Sequence, residues 1–258
     1  MKNTALITGA AGGIGKEFAK IHASKGENIV AVDLNAEGLE KLQKELEKQF
    51  GIKVYTIVKN LTESTAAEEI YQEITNQNIQ IDYLINNAGF GGIGKFHERP
   101  WEKDWAMIQV NVLALTALTR YFLPDFIARN SGKILNVSST VSLVPGPLQA
   151  VYFASKAYVT SFSHSLYGEL TDTNVTVTAL LPGATRTNFG DTSGMNKTNI
   201  YKKPAKASDV AKDGYNAMMK GALQVIAGLP FAQRVEIALA PLMPKKVLIN
   251  RIKREQMH

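Results

Sequence analysis

Two hydrophobic periods alternate along this chain, and that alternation restricts the fold more than any other feature. Short β-rich runs recur at ALIT (5–8), NIVAVD (28–33), KVYTIV (53–58), DYLIN (82–86), KILNVS (133–138), VTVTALL (175–181) and LQVIAG (223–228). Between them, apolar residues fall at helical spacing: Leu39, Leu42, Leu46 and Phe50; Ile70, Tyr71 and Ile74; Trp105, Ile108, Val112 and Leu115. The stretches near 14–25, 150–171 and 207–220 also read as helices. Strand–helix alternation implies parallel strands joined by right-handed crossovers. Runs that are apolar on both faces need helices on both sides. The expectation is one α/β domain over 1–258, with a doubly wound, mostly parallel seven-stranded sheet. Residues 184–206 lack a clean period and read as a lid over a binding site. In 230–258, Pro241 and Pro244 divide a basic tail into two short helical pieces.

Composition narrows the function classes. The 258 residues are 45% hydrophobic and 20% charged, as a packed core requires. The absence of cysteine excludes disulfides, thiolate catalysis, Cys-ligated zinc and iron–sulfur clusters. The net charge is +6, but residues 244–258 alone hold five cations against Glu255. This is a cationic tail, not a nucleic-acid surface, and no nucleic-acid partner is expected. Its Leu248, Ile249 and Ile252 could meet an anionic membrane; packing against its own domain or a second subunit is the favoured reading. No run of about 18 uncharged apolar residues is present, and Ala5-Leu6-Ile7 is too short for a signal-peptide core. A soluble, cytoplasmic protein is therefore expected. His22, His97, His164 and His258 form no His-x-x-x-His pair, so no metal site is expected, and they read mostly as surface residues.

Two glycine loops compete for a phosphate-binding role. TGAAGGIG carries Thr8, Gly9, Gly13 and Gly15 after the first strand, and GFGGIG carries Gly89, Gly91 and Gly94 after the fourth. Only the second matches G-x-G-x-x-G literally, but HERPWEKDW follows it, whose Pro100 and mixed polarity do not suggest an amphipathic helix. The first has the right context. A strand precedes it, a helix begins near Ile14, and Asp33 ends the second strand twenty residues after Gly13. A carboxylate there can accept hydrogen bonds from ribose hydroxyls.

Tyr152 and Lys156 are four apart in a helical stretch and share a face. Ser139 lies thirteen residues upstream, just past the strand KILNVS, at the carboxyl edge of the sheet where ligands bind. With TGAAGGIG, NNAG (86–89), Asn111, Ser139, YFASK (152–156) and LPG (181–183) followed by Thr187, the chain resembles the short-chain dehydrogenase/reductase family over at least residues 1–228.

The resemblance implies a Rossmann-type fold and an NAD(P)-dependent enzyme that interconverts a carbonyl compound and an alcohol. Tyr152 would act as general acid/base, and Ser139 would hydrogen-bond the reacting oxygen. Lys156 would bind the nicotinamide ribose, its charge favouring the phenolate, and Asn111 would hold a relay water. The cofactor would meet Thr8, Gly9, Gly13, Ile14, Gly15, Asp33, Asn87, Ala88 and Gly89. Asn60 stands where the family usually has Asp against adenine, followed by Leu61. Pro182, Gly183, Thr185 and Thr187 match the loop beside the carboxamide, with Thr185 in place of Val or Ile. NAD(H) is the expected cofactor because Asp33 opposes a 2′-phosphate; NADP(H) is the alternative. Apolar side chains near the site, including Phe90, Ile93, Phe96, Leu143, Val144, Leu148, Phe189, Met195, Ile200 and Tyr201, suggest an apolar small-molecule substrate. A homodimer or homotetramer is expected through helices near 105–128 and 152–171. The rival reading is a catalytically idle dinucleotide-binding regulator on the same fold.

Overall fold

A computed structural model describes residues 2–197, 201 and 203–256. Seven parallel strands form one sheet in the order β3-β2-β1-β4-β5-β6-β9: β1 (Thr4–Thr8), β2 (Asn28–Asp33), β3 (Val54–Val58), β4 (Tyr83–Asn86), β5 (Gly132–Val137), β6 (Val175–Pro182) and β9 (Gln224–Ala227). The order reverses between β1 and β4, so a crevice opens beyond their carboxyl ends. Side chains alternate between two cores. In β1, Ala5 and Ile7 join Phe18, Leu42 and Tyr215 from helices α1 (Gly13–Ala23), α2 (Ala36–Phe50) and α8 (Ala207–Met219). Leu6 points the other way, to Ile70, Phe122 and Leu166 of α3 (Ala66–Asn76), α5 (Leu115–Ala128) and α6 (Ala150–Glu169). The expected doubly wound single domain is thus the observed one.

Four local expectations need correction. Pro100 does open a helix: α4 (Trp101–Ile108) starts directly after it. Its φ of −60° suits helix entry, and Glu102 and Asp104 favour the positive first turn. Through a π-helical turn at Gln109–Ala114, α4 continues into α5. The whole of Trp101–Ala128 is long and apolar enough to cross a membrane by length and composition. In the fold, however, Leu118, Phe122 and Phe126 bury it against the sheet. The periodic stripe there is only partly core, since Trp105 is 46% exposed while Leu115 is buried. Finally, His22 is fully buried rather than at the surface. It hydrogen-bonds the Tyr215 hydroxyl at 2.9 Å, and burial lowers its pKa to about 4, which keeps it neutral.

The segment expected as a lid carries structure of its own. A two-residue strand β7 (Thr185–Arg186) pairs with β8 (Ala205–Lys206), and helix α7 (Phe189–Ser193) lies between them. Ile200 lies outside the described residues. After β9 the tail forms α9 (Phe231–Leu239) and α10 (Lys245–Gln256). Leu248 and Ile252 of α10 are buried in a cluster with Met107, Tyr152, Phe153 and Met195, so its apolar face packs on its own domain.

Candidate active site

The first glycine loop, not the second, opens a helix facing the crevice. Gly9 and Gly13 take φ of +65° and +52°, which side chains resist. A Cβ on Gly15 would lie 2.1 Å from the Gly9 carbonyl oxygen, so α1 can approach the loop only with glycine there. The first turn of α1 has no acidic residue, and Gly12 offers no side-chain cap, so its amides and dipole can receive an anion. A Cβ on Gly12 would meet nothing within 4 Å, which leaves this side of the loop open.

Neighbouring strand ends brace the loop. The Thr8 hydroxyl accepts from the amides of Asn87 and Ala88, each at 3.0 Å. The Asn87 side chain donates to the carbonyls of Thr8 (2.9 Å) and Gly9 (3.2 Å). Asp33 accepts from the amides of Ala11 and Asn35, both at 2.9 Å, one on each carboxylate oxygen. Lys16, the nearby cation just past the loop, is engaged by Glu45 at 2.9 Å. Asn60 and Leu61 are not among the residues lining the cavity. The Asn60 side-chain oxygen caps its own turn, accepting from the Thr62 amide (3.1 Å) and hydroxyl (2.9 Å).

Ser139, Tyr152 and Lys156 line one cavity of about 370 Å³ together with Gly9, Gly13 and Asp33. Burial pushes the Tyr152 phenol above the ordinary tyrosine range; hydrogen bonding with Ser139 pulls it down, and Tyr201 pushes it up again. The Ser139 hydroxyl donates to the Pro182 carbonyl and accepts from the Val141 amide, both at 3.3 Å. These long bonds hold the hydroxyl weakly.

Lys156 is buried beside the end of β5. Its ammonium donates to the Val137 carbonyl at 2.9 Å and stands 3.2 Å from where a Gly89 Cβ would be. Burial lowers its pKa to about 8.

Asn111 does not line the cavity but sits behind it in the π-helical turn, 1% exposed. Its side chain exchanges two hydrogen bonds with the Phe90 backbone, at 3.1 and 3.0 Å, and donates to Ser155 at 3.1 Å. Ser155 in turn donates to the Tyr152 carbonyl at 2.7 Å. Ser138 donates to the Lys156 carbonyl at 2.8 Å. Sequence reasoning missed these two serine braces, since one serine in an apolar helix and one at a strand end carry no distinctive pattern.

Of the other expected residues, Ile14, Asn87, Ala88, Gly89, Pro182, Gly183, Thr185 and Thr187 line the cavity. Thr8 and Gly15 lie behind it as braces. On the substrate side Phe189, Met195 and Tyr201 line it, whereas Phe96 is 60% exposed and points elsewhere. Phe189 meets the Tyr152 ring at 5.5 Å between centroids. Among the described residues no cluster of three potential metal ligands occurs.

Comparison with known proteins accords with this geometry. The sequence pattern described as short chain dehydrogenase matches residues 3–197. A short chain dehydrogenase of Pseudocercospora fijiensis is 34% identical over 189 residues, covering 72% of this chain and 61% of that relative. The 3-oxoacyl-acyl-carrier-protein reductase of Thermotoga maritima is 37% identical over 179 residues, covering 69% and 72%. Among solved structures, a short-chain dehydrogenase from Sphingobium yanoikuyae in complex with NADPH superposes with a TM-score of 0.83 at 29% identity, covering 92% and 91%. The chain belongs to the short-chain dehydrogenase/reductase family.

Proposed function

We propose that this protein is an NAD(H)-preferring oxidoreductase that interconverts an apolar ketone and a secondary alcohol. One observation carries the reading: Ser139, Tyr152 and Lys156 share a cavity with the α1 loop and with Asp33. The residues fit a dinucleotide. The amides opening α1 would hold its pyrophosphate, Asp33 its adenosine ribose, and Lys156 its nicotinamide ribose; Thr185 and Thr187 flank the nicotinamide. When bound, the nicotinamide supplies or accepts the hydride.

The chain's own residues handle the proton and the position of the substrate. Tyr152 donates its phenolic proton to the carbonyl oxygen during reduction and takes it back during oxidation. The loosely held Ser139 hydroxyl turns to hydrogen-bond that same oxygen. Asn111 holds the Phe90 backbone and the Ser155 hydroxyl, and Ser155 holds the Tyr152 carbonyl, which pre-positions the phenol. Phe189, Met195 and Tyr201 give the substrate an apolar wall, and 184–206 acts as the lid. Exposed Trp101, Trp105, Leu113 and Tyr158 on the outer faces of α4, α6 and the π turn support assembly of two or more copies through these helices.

Tyr152→Phe tests the reading, because it keeps the ring contact with Phe189 and deletes the proton. Turnover of a ketone that the wild type reduces should fall at least about 100-fold, while NADH affinity stays within about threefold. Near-wild-type turnover would exclude Tyr152 as acid/base.

A further inference from the structure

The tail presents a surface that the cavity does not explain. Phe231, Val235 and Leu239 recur every four residues on α9, at 81%, 42% and 53% exposure, so one apolar stripe faces outward. Leu242, in the turn that follows, is 82% exposed, and Val247 at the start of α10 is 54% exposed. The inner side of this unit is anchored, since Ala240, Leu248 and Ile252 are buried with Tyr152 and Met195. The outer stripe is thus an unpartnered face on a held helix pair.

The two tail helices carry more positive than negative charge. Glu236 and Glu255 are both taken by Arg251, and Asp213 by Arg234. Lys246, Lys253 and Arg254 are exposed, and among the described residues no carboxylate pairs with them. Arg251 offsets one of its two glutamates, and the three exposed cations outnumber the carboxylate left over, so the surplus is cationic. A second copy docking here by two-fold symmetry would bring the same cations face to face. A sheet of anionic lipid headgroups complements both features at once: apolar side chains enter the acyl boundary, and the cations meet the phosphates.

We propose that α9 and the exposed side of α10 form a docking surface for an anionic membrane. α9 packs against Thr140–Leu143, the segment directly after Ser139, so docking sets the substrate side of the cavity next to the lipid. An apolar substrate dissolved in the bilayer would then reach the cavity with a short aqueous path. The docking itself stands whether or not the proposed activity does.

Sedimentation with vesicles tests this. Wild-type protein should partition at least about tenfold more strongly onto equimolar phosphatidylcholine–phosphatidylglycerol vesicles than onto pure phosphatidylcholine, and the difference should shrink with salt. Phe231→Ser with Leu242→Ser, and separately Lys246→Glu with Arg254→Glu, should each lower binding to the anionic vesicles at least about tenfold. Unchanged melting temperature and NADH affinity show that these variants are folded. Equal binding to both vesicle types, no binding at low salt, or variants that bind like wild type would each overturn the proposal. If the apolar variant instead halves the mass in light scattering without altering vesicle binding, the face belongs to a second copy and the proposal falls.

Discussion

Cofactor choice is where the structure yields the sharpest number. Asp33 lies in the cavity wall, held by the amides of Ala11 and Asn35. Each carboxylate oxygen keeps a lone pair after that bond, so ribose hydroxyls can still be accepted. A 2′-phosphate in the same place brings about −1.5 to −2 charges. At about 5 Å and an effective dielectric near 20, each unit pair repels by roughly 3 kcal/mol. Salt and partial exposure reduce this to about 1.5–3 kcal/mol, or about 10- to 150-fold in affinity. Among the described residues, Lys16, the cation just past the loop, is bound to Glu45 at 2.9 Å, and the residue after Asp33 is Leu34, 67% exposed, which offers no offsetting charge. NADH should therefore bind about 10- to 150-fold more tightly than NADPH in a nicotinamide fluorescence titration. Asp33→Ser with Leu34→Arg should reverse the order. Because serine satisfies the Ala11 and Asn35 amides less well, the variant should also lose about 1–3 kcal/mol of stability, measured in urea. Equal or tighter NADPH binding by the wild type would show that Asp33 does not face the ribose, or that Lys16 leaves Glu45 to meet the phosphate.

Two further outcomes follow from burial. The folded chain releases the Lys156 proton near pH 8, whereas the unfolded chain holds it to the ordinary value of 10.5. Between these values the unfolded state binds more protons, so this group's contribution to stability rises with pH. Urea stability of wild type relative to Lys156→Met should accordingly move in favour of wild type as pH rises from 8 toward 10.5; a constant difference refutes this. Gly15→Ala should cost at least about 2 kcal/mol, because its Cβ would lie 2.1 Å from the Gly9 oxygen, while Gly12→Ala, with open space around it, should leave the melting temperature nearly unchanged. Equal melting temperatures for the two would refute the close packing of α1 on its loop.

What could be read in the sequence was whatever local period or fixed spacing encodes. NIVAVD and its six counterparts became the seven strands because short runs apolar on both faces have few other homes. Tyr152, Lys156 and Ser139 could be placed together because a helical turn and a strand end each fix where a side chain emerges. What could not be read depends on partners distant in sequence. A helix period does not announce a π turn, yet the turn at Gln109–Ala114 is what surrounds Asn111 and lets it clamp the Phe90 backbone. Nor does a lone histidine signal burial; His22 is hidden because Tyr215, 193 residues away, supplies its hydrogen bond.

Lys156 and Tyr152 both line the cavity, as their spacing implied. Spacing places Lys156 one turn from Tyr152, and charge alone would aim it at the phenol. The geometry gives its ammonium to the carbonyl ending β5, and burial has already weakened its proton affinity to about 8. A lysine so held costs little to redirect, because one carbonyl hydrogen bond can be exchanged for ribose hydroxyls at similar strength. Tyr152, by contrast, is buried and kept neutral, with Ser139 as the group that eases its ionisation. On the proposed function, the Lys156 ammonium would exchange the Val137 carbonyl for the nicotinamide ribose, and Tyr152 beside Ser139 would move the proton.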